Sequence, residues 1–312
     1  MLQVNTVTDP AACRELWQHC IPQEHITDMW EVRECFWESY RNELLFLNIS
    51  ENGRPLGLLP LCYVPEKDYY AYFPGEQWQG KTWLERNRVP VRDLQMSRDL
   101  FAWLDERKMS YHLRYLLPDE SLGGEEQMVD EIGYLFCPSE FDYDMDKYYA
   151  RFSRKSIKSI LKEVRVFEER GLTYRLDDYA DLDLLIEMNR SRFGEHSYFA
   201  DGRFTAGIRR LAALLRDRGW LRLVTVLVEG CPAAVDMGCL YNNTLTLLAG
   251  GTHSDFRGIA KVINLYHMRQ ACADRREEVD FLCGDFFWKP MFHLQPRPLF
   301  QLSNRPDLLH KG

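Results

Sequence analysis

Apolar residues along this chain recur at helical spacing in some stretches and alternate with polar residues in others. A helix is predicted over residues 152–171, where Ser153 can cap the start and Gly171 can end it. Its apolar positions share one face, namely Ile157, Ile160, Leu161, Val164 and Phe167. The segment predicts an amphipathic helix that packs on a sheet or on another helix.

The rest of the second half predicts helices and strands in a definite order. The expected helices cover 181–193, 204–218 and 259–275, and the expected strands cover 220–228, 233–241, 244–250 and 279–283. Helices therefore precede an antiparallel meander, which is followed by one strand–helix–strand unit. This order predicts an α/β (α+β mixed) fold, a mostly antiparallel mixed sheet flanked by helices.

Two segments resemble each other at an offset of 177 residues. They are LFLNISENGRPLGLLPL (45–61) and RLVTVLVEGCPAAVDMG (222–238), and each predicts a β-hairpin around Gly53 or Gly230. Hairpins resemble one another by chance, but both copies follow a helix-rich segment and precede further strands. We expect two tandem domains, a degenerate N-terminal copy over 1–140 and a C-terminal copy over 141–312.

One position separates the two copies chemically. Asp236 stands in an otherwise apolar strand, where the first copy has Leu59. A buried carboxylate is costly unless it is hydrogen-bonded, and such a group is suited to act as a general base. A purely structural aspartate that holds a loop is an equal alternative.

Charge narrows the list of partners and cellular locations. The chain has 312 residues and a net charge of −8, which disfavours broad nucleic-acid binding. Residues 151–170 nevertheless carry seven basic and three acidic side chains, so this helix is either a solvated surface or a site for an acidic carrier protein, a nucleotide phosphate or RNA. The nine cysteines are scattered and show no C-x-x-C spacing, which predicts reduced thiols and no metal site. The sequence shows no signal peptide and no membrane span, so we expect a cytoplasmic protein.

The loop between the strand at 244–250 and the helix from 259 contains Gly258. A helix N-terminus after such a loop can bind phosphate, although many ordinary strand-to-helix turns also contain glycine. A second glycine loop, QWQGKT at 77–82, has similar spacing. We expect only a turn there, because no second strand–helix–strand unit is evident around it.

Four features in order resemble the CelD/BioF-like acetyltransferase domain of the GNAT superfamily, which is related to FemAB transferases. They are SRKSIKSILKEVRVFEERG, GCPAAVDMGCLYNNTLTLLAGG, DFRGIAKVINLYHMRQA and VDFLCGDFFWKPMF. The resemblance implies two GNAT-like halves and acyl transfer from acetyl-CoA or acyl-CoA to an amine such as an amino acid or an amino sugar. It also implies that Phe256, Arg257, Gly258, Ile259 and Ala260 bind the coenzyme A pyrophosphate, although Asp255 replaces the family's Gln or Arg.

The same resemblance suggests roles for further residues. Asp236 is the candidate base, and Asp285 of the Gly-Asp turn and Lys289 of the aromatic-Lys signature are catalytic candidates. Independently of the resemblance, the irregular segment 192–204 makes His196 and Tyr198 candidate acceptor contacts, with a plain helix connection as an equal alternative. Many GNAT enzymes use a tyrosine as general acid, but residues 284–312 contain none, and His293 is a possible substitute. Three alternatives stay open: an aminoacyl-tRNA-dependent transferase of the FemAB type, an acyl-carrier-protein-dependent transferase that uses the basic helix at 151–165, and a non-catalytic GNAT-like module.

Overall fold

Helices and strands of the second half form close to where the periodicity predicts them, although the strand expected over 279–283 ends at Asp280. The computed structural model describes residues 3–79, 82–122, 128–284 and 288–309. The strands are β1 (Gln3–Val7), β2 (Glu43–Glu51), β3 (Arg54–Val64), β4 (Tyr69–Tyr72), β5 (His112–Leu116), β6 (Met128–Phe136), β7 (Thr173–Leu176), β8 (Leu221–Val228), β9 (Cys231–Tyr241), β10 (Thr244–Thr252), β11 (Glu278–Asp280) and β12 (Gln295–Ser303). The α-helices are α1 (Pro10–Cys20), α2 (Trp30–Tyr40), α3 (Leu94–Glu106), α4 (Met145–Tyr149), α5 (Arg154–Glu169), α6 (Asp181–Phe193), α7 (Gly202–Asp217), α8 (Ile259–Ala273) and α9 (Trp288–Met291).

The contacts divide the chain into two compact units. The first contains Met1–Ile132, Ala206–Leu211 and Pro298–Gly312, and the second contains Gly133–Thr205 and Ala212–Arg297. The mixed α/β fold class is confirmed, whereas the division at residue 140 into separate domains stays a prediction. No helix among the described residues is long and apolar enough to cross a lipid bilayer.

The first unit contains an antiparallel sheet in the order β1-β2-β3-β4. An aromatic cluster that includes Trp17, Trp30, Phe46 and Phe73 fills its core, and each of these four side chains is almost fully buried. Strand β5 pairs with the C-terminal part of β12 in the same unit. Apolar burial on this scale is the main stabilising contribution to such a unit.

The second unit contains a sheet in the order β6-β11-β10-β9-β8-β7. β10 pairs antiparallel with β9 and parallel with β11, as expected when a helix connects two adjacent strands. Helix α8 makes that connection and packs on one face of the sheet, while α6 packs on the other. Two neighbouring glycines of β10 show this, because Gly251 approaches α6 and Gly250 approaches Asp236 on the α8 face.

The two hairpins share both their turn conformation and the position of a register shift. Both turns have two residues with positive φ, 52° and 78° at Asn52 and Gly53, and 53° and 78° at Glu229 and Gly230. This is the turn that best matches the twist of paired strands. The register shifts also correspond, since one lies between Ile49 and Ser50 in the first hairpin and the other between Val226 and Leu227, 177 residues later.

The correspondence extends beyond the hairpins. In chain order, β1-α1-α2-β2-β3-β4-α3-β5 has the same sequence of elements as β7-α6-α7-β8-β9-β10-α8-β11. The expectation that the first half lacks a strand–helix–strand unit was therefore wrong, because β4, α3 and β5 form one, with a parallel bridge between Tyr70 and Tyr111. The loop at 77–82 does not lead directly into α3, which begins at residue 94, and Gly80 and Lys81 lie outside the described residues.

The duplicated turn gives a stability test that is independent of function. We expect Gly230→Ala to lower the free energy of unfolding by roughly 1–2 kcal/mol, because an L side chain is strained at φ +78° although no atom lies within 4 Å of the new Cβ. Gly202→Ala is the matched control: its Cβ also meets open space, but its φ is not positive, so we expect no loss. Urea unfolding of both variants measures the difference, and equal losses would contradict the turn assignment.

Candidate active site

The β8–β9 hairpin places Asp236 in the interior of the second unit's sheet. Asp236 is paired with Val224 of β8 and Gly250 of β10, and its side chain is 15% exposed. Its Oδ2 atom lies 3.0 Å from Nε2 of His267 in α8, whose side chain is 4% exposed. This largely buried carboxylate therefore has a hydrogen-bonding partner in the buried imidazole.

Space for this carboxylate exists because the residue opposite it has no side chain. A Cβ on Gly250 would lie 2.3 Å from Oδ1 of Asp236, a distance that non-bonded atoms do not adopt. A glycine inside a strand usually marks a close approach of this kind. Asp236 and Gly250 thus form one structural unit across β9 and β10.

A second network holds β10 from the α6 side. Asn189 of α6 donates through Nδ2 to the Gly250 carbonyl oxygen at 2.8 Å, and Ser197 donates through Oγ to Asn189 Oδ1 at 2.7 Å. A Cβ on Gly251 would lie 2.7 Å from the Leu185 carbonyl oxygen, so α6 and β10 are in close backbone contact. Segment 192–204 is thereby anchored to the strand that faces Asp236.

Strands β10 and β11 separate after three paired residues. They pair from Thr244 with Glu278 to Thr246 with Asp280, and within the described chain residues 247–252 have no partner in β11. The register of β10 against β9 shifts between Leu247 and Ala249, which leaves Leu248 as a bulge. Backbone beyond the bulge is consequently available for a ligand on the side that β11 leaves.

Lys289 stabilises the segment directly after β11, where the chain diverges from β10. Its Nζ donates to three carbonyl oxygens, those of Phe281 at 3.0 Å, Leu282 at 2.8 Å and Cys283 at 2.8 Å, and the residue is 2% exposed. Three acceptors match the three hydrogens of an ammonium group. This geometry supports a positioning role, and direct charge stabilisation by Lys289 stays a prediction.

The N-terminus of α8 has the features of an anion site. Gly258 occupies the N-cap position with φ +93°, and no described side chain caps the helix. Uncapped N–H groups and the helix dipole favour a negative charge here. By contrast, α3 of the first unit is capped by Asp93, which accepts a hydrogen bond from the Met96 N–H, so the corresponding place there already holds a carboxylate.

Glu163 of α5 is an acidic side chain that approaches the Gly258 loop from outside it. Glu163 of α5 accepts a hydrogen bond from Nζ of Lys261 at 2.5 Å, and its Oε2 lies 3.2 Å from the position of a Cβ on Gly258. Both side chains are partly exposed, 42% for Glu163 and 32% for Lys261. The pair links α5 to the first turn of α8 and places one negative charge beside the loop.

The remaining predicted site residues do not all converge on Asp236. His196 is exposed, and half-buried Tyr198 packs its ring on Phe204 at 5.2 Å, in the segment that Ser197 ties to β10. His293 is exposed with its ring 4.5 Å from Phe152, an arrangement that gives no support for a general acid. Asp285 lies outside the described residues.

Two functional candidates were missed by sequence reasoning, His267 and Tyr266 of α8. The Tyr266 ring lies 5.8 Å from the His267 ring and 4.2 Å from the Tyr174 ring of β7. Burial raises the pKa of Tyr174 to about 12 and also raises the pKa of Tyr266, so both phenols are protonated at neutral pH. The pair of glycines at 250–251 in a strand pattern was the available signal for close packing here, but nothing local indicated which helix would face it.

No group of three or more His, Cys, Asp or Glu side chains suited to a metal ion occurs in the part of the chain that the structure describes. All nine cysteines are free thiols. The described residues supply this site with a carboxylate–imidazole pair, a phenol and a helix N-terminus.

The segment that contains the candidate site matches the model of a known protein family. Residues 154–290 match the model of the acetyltransferase (GNAT) domain, which includes Asp236, Gly258 and His267. This segment is similar to a GNAT acetyltransferase domain. The prediction that the chain is an acyltransferase is confirmed at the level of that family, and a sequence search of curated proteins finds no match.

Solved structures extend the likeness from the GNAT domain to the whole chain. FemX superposes with a TM-score of 0.57 at 12% identity, over 97% of this chain and 98% of FemX. L-PGS from Bacillus licheniformis superposes with a TM-score of 0.55 at 10% identity, over 89% of this chain and 93% of L-PGS. A tandem GNAT protein from the clavulanic acid biosynthesis pathway superposes with a TM-score of 0.52 at 10% identity, over 98% of this chain and 99% of that protein. At such identities the likeness concerns the fold alone, and it confirms the FemAB-related tandem GNAT-like fold.

The cross-strand unit in the GNAT domain predicts strong coupling between two substitutions. Gly250→Ala should lower the free energy of unfolding by about 1–3 kcal/mol, because the new methyl group collides with the Asp236 carboxylate. In an Asp236→Ala background, the same Gly250→Ala change should cost less than about 0.5 kcal/mol, since the colliding atoms are gone. A double-mutant cycle by urea unfolding measures this, and additive losses would show that the carboxylate does not occupy this space.

Proposed function

We propose that the C-terminal half transfers an acyl group from acyl-CoA to the nitrogen of a small amine. The observation that carries the proposal is the match of residues 154–290 to the GNAT domain, in which the loop with uncapped Gly258 precedes α8. The amine is an amino acid, an amino sugar or a similar compound. A cytoplasmic location belongs to the same proposal.

The residues present fit a phosphate-bearing donor. In the proposed complex, the phosphate is bound by backbone N–H groups of Arg257, Gly258 and Ala260, because the N–H groups of Phe256 and Ile259 already donate to the carbonyl oxygens of His253 and Phe256. The Arg257 side chain is exposed beside them. Backbone N–H groups and the helix dipole bind phosphate without any particular side chain. The Asp at position 255, where the family has Gln or Arg, therefore removes one side-chain contact but leaves the backbone site.

Asp236 and His267 supply the proton acceptor that the reaction needs. The amine nitrogen attacks the thioester carbonyl carbon, a C–N bond forms, the C–S bond breaks, and the sulfur leaves as a thiolate. The nitrogen loses one proton to Asp236, directly or through a water molecule, and the thiolate finally gains one. A carboxylate fixed by a buried imidazole is oriented before the substrate arrives, which is the condition for efficient general-base catalysis.

The bulge of β10 suggests where the acyl group lies. Residues 247–252 are free of β11 on one side, and Gly250 brings the same stretch opposite Asp236. A thioester that runs along this part of β10 would bring its carbonyl group towards the Asp236 side of the sheet. In this proposal Lys289 acts indirectly, by holding residues 281–283 away from β10.

An aminoacyl-tRNA-dependent transfer of the FemAB type is the second candidate function. The likeness in fold to FemX and the basic residues of α5 favour it. It uses an ester rather than a thioester donor and requires no coenzyme A. Binding of coenzyme A thioesters therefore separates the two functions.

Calorimetric titration with coenzyme A, acetyl-CoA and a long-chain acyl-CoA tests the donor. We expect at least one thioester to bind, and Gly258→Glu to weaken it by at least about tenfold, because a carboxylate would occupy the phosphate position. Gly219→Glu is the matched control: it adds the same charge at another glycine with positive φ and open surroundings, and it should bind like the parent.

The control also separates loss of binding from loss of folding, since both glutamates impose similar backbone strain. Thermal unfolding of the two variants should show that both are folded at the temperature of the titration, with the lower midpoint for Gly258→Glu because its new carboxylate lies beside Glu163. The acyl-CoA proposal fails if no thioester binds to the parent protein, or if folded Gly258→Glu binds as well as Gly219→Glu.

A further inference from the structure

Helix α5 presents a continuous row of cations to solvent. Its opposite face is buried through Ile160, Val164 and Phe167, which fix the orientation of the helix. The exposed cations are Arg154, Lys155, Lys158, Lys162 and Arg165, hereafter the α5 basic face. Residues four apart in a helix lie side by side, so three of these positions, 154, 158 and 162, form a straight line of positive charge.

These cations have no carboxylate partner within the described residues. Of the three acidic side chains in residues 151–170, Glu163 pairs with Lys261. Exposed Glu168 and Glu169 lie in the last turn of the helix, beyond the row at 154, 158 and 162. Like charges spaced four apart destabilise a helix. The α5 basic face is therefore a local excess of positive charge, in a chain of net charge −8, that an external anion would neutralise.

The α5 basic face borders the proposed donor site. Glu163, which lies between Lys162 and Arg165 in the helix, contacts the first turn of α8 and approaches Gly258. Exposed Arg257 adds another cation from the loop itself. A donor whose phosphate sits at Gly258 would have whatever is attached to that phosphate close to α5.

We propose that the α5 basic face docks an acidic carrier protein that presents the acyl thioester on a phosphopantetheine arm. The inference rests on the proposed thioester chemistry and names the macromolecule that delivers the donor. A carrier-linked arm has a single phosphodiester, which suits a site where Glu163 already places one carboxylate beside Gly258. An acidic helix of the carrier would set its own carboxylates against the row of cations on α5.

Two features favour a protein over RNA as the occupant. Exposed Val166, 46% accessible, adds an apolar contact next to the cations, as protein interfaces commonly have. The rest of the chain is strongly acidic, with residues 151–170 contributing +4 to a total of −8, and this charge repels a long polyphosphate backbone. A compact acidic protein can bind one helix without lying along the acidic surface.

Binding of octanoyl-loaded holo acyl carrier protein tests the proposal, with octanoyl-CoA and bulk tRNA as comparison ligands. We expect the carrier to bind, and its affinity to fall at least about tenfold between about 50 mM and about 300 mM salt, because opposite charges attract it. Arg154→Glu/Lys158→Glu should lower the affinity for the carrier at least about tenfold. The affinity for octanoyl-CoA should stay within about twofold, because both positions lie on turns of α5 before Glu163. Lys67→Glu/Lys108→Glu, which reverses two exposed cations outside α5, is the charge-matched control and should leave the affinity for every ligand unchanged.

Each other outcome overturns the proposal in a distinguishable way. Octanoyl-CoA binding without carrier binding, or carrier binding that survives the double reversal, removes the carrier and leaves the acyl-CoA function intact. Binding of tRNA alone, lost in the same double variant, assigns the α5 basic face to RNA. Failure of both thioesters to bind removes the proposed function together with this inference.

Discussion

The candidate site depends on one steric constraint, the placement of Asp236 opposite a residue without a side chain. The carboxylate fits between β9 and α8 only because Gly250 leaves the space that a Cβ would fill. Once it is there, His267 of α8 supplies a hydrogen-bonding partner at 3.0 Å, and Asn189 of α6 holds the Gly250 backbone from the opposite face. The strand register at Asp236 and Gly250, the packing of α6 and α8, and the Asp236–His267 hydrogen bond therefore depend on one another.

The duplication shows how the same scaffold is used in two ways. The hairpins share turn geometry and register shifts, yet Leu59 stands where the second copy has Asp236, and Asp93 caps the helix that corresponds to α8. An apolar residue and a carboxylate cap stabilise the first copy, whereas the second copy has a polar pair and an uncapped helix N-terminus. The differences include the two positions to which the proposed chemistry is assigned, Asp236 and the N-terminus of α8.

Local sequence patterns predicted the helices and strands well but did not predict the side-chain contacts between them. Helix α6 and strands β8 and β9 follow from apolar periodicity and turn residues, and the duplicated hairpin follows from the repeat itself. The Asp236–His267 contact joins residues 31 positions apart, and the Asn189–Gly250 contact joins residues 61 apart. Such pairs depend on how a helix rotates on the sheet, which no local periodicity specifies. The long connection before α3 likewise concealed the first unit's strand–helix–strand element, because α3 begins 22 residues after the end of β4.

The most direct measurement of the central claim is the single-turnover rate of amine acylation by Asp236→Asn, compared with the parent protein across pH. Once a thioester donor and an acylated amine are in hand, we expect the variant to remain folded, to bind the donor normally and to lose about 100-fold or more in rate, as expected for a removed general base. Raising the pH should restore part of the rate, because more of the amine is then already neutral. A rate within about threefold of the parent would contradict the account, since Asp236 would then serve only to hold α8 on the sheet.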